Sequence, residues 1–203
     1  RGMIIKLKGE TSHAGHPENG RSPAPAAASI IHALHAAPSM STSFSSSALI
    51  TVIHAKIGEV AFGTTPGEAV VMATLRTHEN ADMKAMSKYC EKTASGIADT
   101  YGLECSIDYV EIFPATLNSQ ECFKTLEKAA SQAGLEKIYK TQPFPWSEDF
   151  GWYLQKYKGA FFGIGSGDDS PQLHNSDYDF PDDLIEPAVK MFFHILEVFR
   201  AVH

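Results

Sequence analysis

Residues 83–109, MKAMSKYCEKTASGIADTYGLECSIDY, change their hydrophobic period once, and that change decides the fold. Met83, Met86, Cys90, Ala94, Ile97 and Tyr101 recur at helical spacing up to Gly102, a helix-stop residue. Beyond it Cys105, Ile107 and Tyr109 alternate with Glu104, Ser106 and Asp108, the period of a half-buried strand. Toward the N-terminus, two β-rich segments, Ala48–Ile57 and Glu68–Thr77, flank a turn region containing Pro66-Gly67 and read as a hairpin-like pair. A serine-rich loop over 39–47 precedes them. Before that loop, Pro23–Ala37 reads as a helix with Ile30, Ile31 and Leu34 on one face and Ser22 as N-cap, and Met3–Lys8 reads as a strand. The order β-α-β-β-α-β predicts a ferredoxin-like sandwich of the mixed α+β class: four antiparallel strands covered on one face by two helices.

After Pro114 the pattern changes. Asn118 and Glu121 have capping-box spacing before a helix carrying Cys122, Phe123, Leu126, Ala129 and Ala133, which stops at Gly134. The motif Ser147-Glu148-Asp149-Phe150 opens a turn and helix, and Ala160–Ile164 is a short apolar run that reads as a buried strand. A final helix from about Asp183 presents Leu184, Ala188, Phe192, Ile195 and Phe199. One or two strands do not complete an α/β sheet, so the expected division is a ferredoxin-like domain over 1–115 and part of an incomplete α/β domain over 116–203.

Composition sets outer bounds. Of 203 residues 43% are hydrophobic and 20% charged, enough apolar material for an ordinary globular core. A formal charge of −7 without a basic stripe disfavours nucleic acid and anionic membranes as partners. Cys90, Cys105 and Cys122 are odd in number and widely spaced, which argues against a disulfide framework or a cysteine zinc cluster and favours a reducing, cytoplasmic compartment. No apolar stretch approaches a membrane span. Arg1-Gly2-Met3-Ile4-Ile5 resembles neither a signal peptide nor a natural start, so the chain reads as a fragment.

The chemistry concentrates in Leu173-His174-Asn175-Ser176-Asp177-Tyr178-Asp179-Phe180-Pro181-Asp182-Asp183, which sets an imidazole after a strand and glycine loop, ahead of carboxylates and a helix. That is a place to hold a metal. The run SEDF, then Gly163-Ile164-Gly165, then LHNSDYDFPDD resembles the end of the dizinc peptidase and amidohydrolase family, which includes hippurate hydrolases, aminoacylases and indole-acetyl-amino-acid hydrolases. At the other end, Gly9-Glu10-Thr11-Ser12-His13-Ala14-Gly15-His16-Pro17-Glu18-Asn19-Gly20 resembles the glycine-rich start of that family's smaller, dimerising domain. With the intervening Pro66…Arg76 element, the resemblance covers essentially the whole chain.

The resemblance implies a hydrolase of N-acyl amino acids or small peptides, carrying two zinc ions and assembled as a homodimer through residues 1–115. It implies that the strands of the catalytic domain, the general base and the remaining metal ligands precede Arg1, so that the chain alone is inactive. His174 would be a zinc ligand, since a neutral imidazole suits that ion; the plain alternative is a surface-loop histidine. Asp177, Asp179, Asp182 and Asp183 lack calcium-loop spacing and fit helix capping and solvation better. His13, with His16 as competitor, would act in the active site of the partner subunit by stabilising the oxyanion of the tetrahedral intermediate. Arg76 would hold a substrate carboxylate, or be an ordinary sheet-surface arginine. Glu148 and Asp149 would shape the pocket or cap the next helix. One departure stands out: many family members carry asparagine where this chain has Gly63, three residues before Pro66, which removes a side-chain amide that Thr64 or Thr65 would have to replace. The competing class is a non-catalytic ferredoxin-like dimerisation or small-molecule-binding module, in which both histidines are incidental.

Overall fold

A computed structural model of the chain describes residues 1–43 and 47–201. The chain divides into two compact units, Arg1–Ala115 and Thr116–His203.

In the first unit the chain runs β1 (Gly2–Lys8), α1 (Ala24–Ser41), β2 (Ala48–Ile57), β3 (Glu68–Thr77), α2 (Asn80–Thr100) and β4 (Glu104–Val110). The strands form one antiparallel sheet in the order β2-β3-β1-β4. This is the ferredoxin-like sandwich that the alternation of periods predicts. Met3, Ile5 and Leu7 of β1 and Ala69, Val71, Ala73 and Leu75 of β3 all point to one face. There they bury against Ala26, Ala27, Ile30, Leu34 and Ala37 of α1 and Met83, Met86, Cys90, Ala94 and Ala98 of α2. On the opposite face Lys6 pairs with Asp108 at 3.3 Å and Lys8 with Glu104 at 3.5 Å across β1 and β4, beside half-buried Ile4, Val70 and Met72. Such exposed pairs contribute about 0–1 kcal/mol each, so the buried face dominates the stability.

Three local expectations are corrected. The cap position of α1 is Pro23, whose fixed φ suits a helix start, while the Ser22 hydroxyl accepts from the Ala24 amide at 3.3 Å. The helix also continues through Pro38 to Ser41. Thr42 donates its amide and its hydroxyl to the Pro38 carbonyl at 3.2 and 2.8 Å, satisfying one of the carbonyls left open at the helix C-terminus. The serine-rich loop is therefore shorter than 39–47, and its residues 44–46 lie outside those described.

β2 is an edge strand. Its register slips between Val52 and His54, and Leu49, Ile53 and Ile57 are exposed along it.

The second unit contains α3 (Gln120–Gln132), a short α4 (Gly151–Leu154) and α5 (Ile185–Arg200), preceded by a 3-10 turn at Asp182–Leu184. Its small core joins Ala129 and Ala130 of α3 to Met191 and Val198 of α5, with Leu126, Leu135, Phe162 and Ile195 against them. The N-cap of α3 is Ser119, whose hydroxyl accepts from Cys122 N–H at 3.2 Å, rather than Asn118. Asn118 turns away and clasps Phe161, its amide donating to the Phe161 carbonyl at 2.9 Å and accepting from the Phe161 amide at 2.8 Å.

The predicted strand Ala160–Ile164 does not form. An extended segment becomes a strand only beside another, and among the described residues this unit has no strand to pair with it. In α5 the buried stripe is Met191, Ile195 and Val198, whereas Phe192 and Phe199 from the expected stripe are more than half exposed. Ile185, Val189, Phe193 and Leu196 are exposed with them. Among the described residues no helix is long and apolar enough to cross a membrane.

Candidate active-site elements

Beyond β1 the chain continues beside the segment that leads into β3. Gly9 N–H donates to Gly67 O at 2.7 Å, Thr65 N–H to Ser12 O at 2.9 Å and Ala14 N–H to Gly63 O at 3.0 Å, with His13 bridging Thr64. Gly9 is required here, since a Cβ at that position would lie 1.9 Å from the Arg21 carbonyl oxygen. Side chains tie the same two segments together. The Thr65 hydroxyl accepts from Ser12 N–H at 2.8 Å and lies 2.9 Å from the Ser12 hydroxyl.

His13 sits exposed on this platform. Its Nδ1 accepts a hydrogen bond from Gly15 N–H at 3.0 Å. An acceptor nitrogen carries no proton, so the neutral ring holds its proton on Nε2 and offers that N–H as a donor. His16, the competing candidate, instead directs Nδ1 at its own neighbour Glu18, 3.3 Å away. The two rings lie 6.0 Å apart.

Gly63, beside His13, meets no heavy atom within 4 Å of where a Cβ would stand, and its backbone is not left-handed. Neither space nor conformation demands glycine there. Thr65 is committed to Ser12, whereas Thr64 is exposed next to His13.

Arg76 is half-buried near the far end of β3, opposite Leu49 of β2. The α-amino group of Arg1, which donates to Leu75 O at 2.9 Å, is held below its ordinary range by burial first, then by the guanidinium charges of Arg1 and Arg76. The fold of the first unit does not bring His13 and Arg76 together.

His174 lies in the second unit, in a turn closed by Asn175 N–H donating to Gln172 O at 3.1 Å. Its φ is +72°, a left-handed conformation that a side-chain-bearing residue adopts at a cost of roughly 1–2 kcal/mol. The imidazole is exposed. A second turn, Tyr178 N–H to Asn175 O at 3.1 Å, follows before the 3-10 turn that carries Asp182 and Asp183. Those two carboxylates lie where the partial positive charge of a helical N-terminus stabilises them. An open hollow of about 460 Å³ lined by Asp168, Asp169 and Asp179 does not include His174.

Glu148 and Asp149 make no side-chain cap on α4, whose first turn is instead closed by Trp152 N–H donating to the Asp149 carbonyl at 2.9 Å. Among the described residues no three His, Cys, Asp or Glu side chains come together as a metal site. The residues present do not by themselves fit a metal ion.

Residues 9–198 match the model of peptidase family M20/M25/M40. The chain is 26% identical over 188 residues to an N-acetylcysteine deacetylase of Bacillus subtilis, covering 93% of this chain and 49% of the relative. It is 26% identical over 194 residues to an N-acetyldiaminopimelate deacetylase of Bacillus licheniformis, with 93% and 50% covered. Among solved structures it resembles a dinuclear metal binding peptidase of the M20 family from Bacillus subtilis, with a TM-score of 0.67 and 20% identity over 98% of this chain and 49% of that one. The chain spans about half the length of the curated relatives it matches.

Proposed function

Because the chain belongs to peptidase family M20/M25/M40, we propose that it supplies the dimerisation domain and the C-terminal part of the catalytic domain of a zinc-dependent hydrolase. Its substrates in this reading are N-acyl amino acids or small peptides, cleaved at the amide bond. The observation that carries the reading is the Gly15 to His13 hydrogen bond, which leaves an exposed Nε2–H donor on a backbone platform in a chain of this family.

Attack of water on an amide carbonyl builds negative charge on its oxygen. A fixed N–H donor aimed at that charge lowers the barrier, and His13 is assigned that role. Arg76, half-buried near the far end of β3, is assigned the substrate carboxylate. His174 is assigned as one imidazole ligand of the metal centre. The left-handed turn that presents it supports this, because a strained exposed position persists when the side chain has work to do.

His13 and Arg76 require two subunits. β2 leaves one edge unpaired and exposes Leu49, Ile53 and Ile57 along it, a surface suited to a second copy. Two β2 strands pairing antiparallel about a two-fold axis reverse the sheet ends, setting the His13 end of one protomer beside the Arg76 end of the other. The unpaired thiols of Cys90, Cys105 and Cys122 support a reducing, cytoplasmic setting.

The test is hydrolysis of acetyl and benzoyl amino acids by the full-length zinc-loaded enzyme, alongside the same substrates with their carboxyl group amidated. Arg76→Ala should raise KM for the free acids and leave the amidated forms little changed. An enzyme that cleaves none of them, or an Arg76 variant affecting both sets equally, would overturn the reading.

A further inference from the structure

Resting on the assignment of His13 as oxyanion donor, we infer that Thr65 and Gly15 are positioning residues that lock the His13 imidazole in its Nε2–H form. An exposed histidine in a loop ordinarily samples both tautomers and several rotamers. Two contacts restrict this one.

Gly15 N–H occupies Nδ1 at 3.0 Å, so only Nε2 can carry the proton of the neutral ring. Gly15 is also tightly placed: a Cβ there would stand 3.2 Å from Nδ1 and 3.4 Å from Cε1 of His13, pressing on the ring.

The second contact fixes the backbone that carries both residues. Thr65 reaches across 53 positions of sequence to take Ser12 N–H at 2.8 Å and to pair with the Ser12 hydroxyl at 2.9 Å. The Ser12 carbonyl in turn receives Thr65 N–H at 2.9 Å. Three contacts between one pair of residues, directly before His13 and directly after its bridge partner Thr64, prevent the His13 backbone from rotating or sliding along its neighbour. The side chain at 65 thus acts through Ser12 on the imidazole.

The experiment is nitrogen NMR of the full chain with labelled histidine. The His13 signals are assigned among the nine histidines by their loss in His13→Gln. In the neutral ring the expected pattern is a proton-free Nδ1 and a protonated Nε2. Thr65→Val keeps the side-chain shape but removes the hydroxyl, and should turn that pattern into an exchanging mixture; Thr65→Ser should retain it. Gly15→Ala should displace the ring and disturb the same signals, and it supplies the readout if Thr65→Val does not fold.

In the full-length enzyme Thr65→Val should lower kcat by up to about a hundredfold, the cost of a catalytic group misplaced by about 1 Å, with KM unchanged. A protonated Nδ1 in the parent chain, or an undisturbed pattern in folded Thr65→Val and Gly15→Ala, overturns the inference. The tautomer is read without turnover, so an active His13→Ala enzyme would remove the oxyanion role while leaving the positioning intact.

Discussion

His13 bridges Thr64 just ahead of β3, and Arg76 is the ninth residue of that strand, so Glu68 to Arg76 alone sets roughly 26 Å of extended chain between the two ends. No substrate the size of an acyl amino acid spans that distance. If both residues serve one reaction, they serve it from different subunits.

Mixing subunits should therefore restore activity. In the full-length enzyme His13→Ala should reduce turnover by the hundred- to thousand-fold, roughly, of a lost oxyanion donor, with zinc retained. His174→Ala should lose zinc together with activity. Heterodimers of the two variants contain one site with an intact metal ligand and an intact histidine from the opposite subunit, and should recover up to half the parental rate per dimer. Verified heterodimers without activity would refute action across the interface.

The 203-residue chain by itself should neither retain zinc nor hydrolyse amides, because no three ligand side chains converge among its described residues. Metal analysis after dialysis, paired with a benzoyl-glycine assay, checks this. Stoichiometric zinc with turnover is the contrary result.

At His174 stability and function should part. Replacing it by glycine relieves the left-handed backbone and should stabilise the second unit by about 1 kcal/mol, while removing the proposed ligand. Urea unfolding of the chain together with zinc binding by the full-length variant measures both. A destabilised His174→Gly chain would show that the imidazole holds the turn.

Two glycines on the His13 platform should respond in opposite ways. Gly63→Asn enters open space and should change stability by no more than about 0.5 kcal/mol, while altering relative rates across acyl groups. Gly9→Ala would drive a methyl into the Arg21 carbonyl and should cost at least about 2 kcal/mol. Thermal melts of both variants decide the point.

Alkaline pH should weaken the first unit. Burial, then the charge of Glu91, pushes the Cys90 thiol up to about 11 from its ordinary 9. Burial and the 2.9 Å hydrogen bond to Glu91 likewise raise the Tyr109 hydroxyl. Both groups are held protonated by the fold, so their contribution is complete below their unfolded values. For Cys90 it is lost as pH rises from 9 through about 11, and for Tyr109 above 10. Denaturation midpoints should fall across this range, and Cys90→Ala should flatten the early part of the decline.

The first unit was legible because its periods are clean. A switch from helical spacing before Gly102 to alternation after it leaves little choice of element, whereas β1 and β3 carry apolar runs whose alternation shows only in their burial. The end of α1 was obscured by Pro38, which reads as a breaker because it has no amide to give the Leu34 carbonyl, yet the helix runs one turn past it.

In the second unit the apolar run 160–164 carries no information about whether a strand lies beside it. α5 is apolar on more than one side, so periodicity could not choose the stripe of Met191 and Val198 over that of Phe192 and Phe199. At the site, a family resemblance pointed to His13, Arg76 and His174. The clasp between Ser12 and Thr65 could not be read, since two hydroxyl residues 53 positions apart leave no mark in composition or spacing.

The outer side of α5 should give this chain the character of a surfactant. Ile185, Val189, Phe192, Phe193, Leu196 and Phe199 lie along one short rod, backed by a core of four small or flexible side chains. Such a surface seeks any apolar boundary, whether an air bubble, a plastic wall or a detergent micelle. The net charge of −7 keeps molecules apart at a distance but does not shield that helix at contact. Handling of the isolated chain should thus depend on a helix of the second unit and on none of the side chains assigned to chemistry.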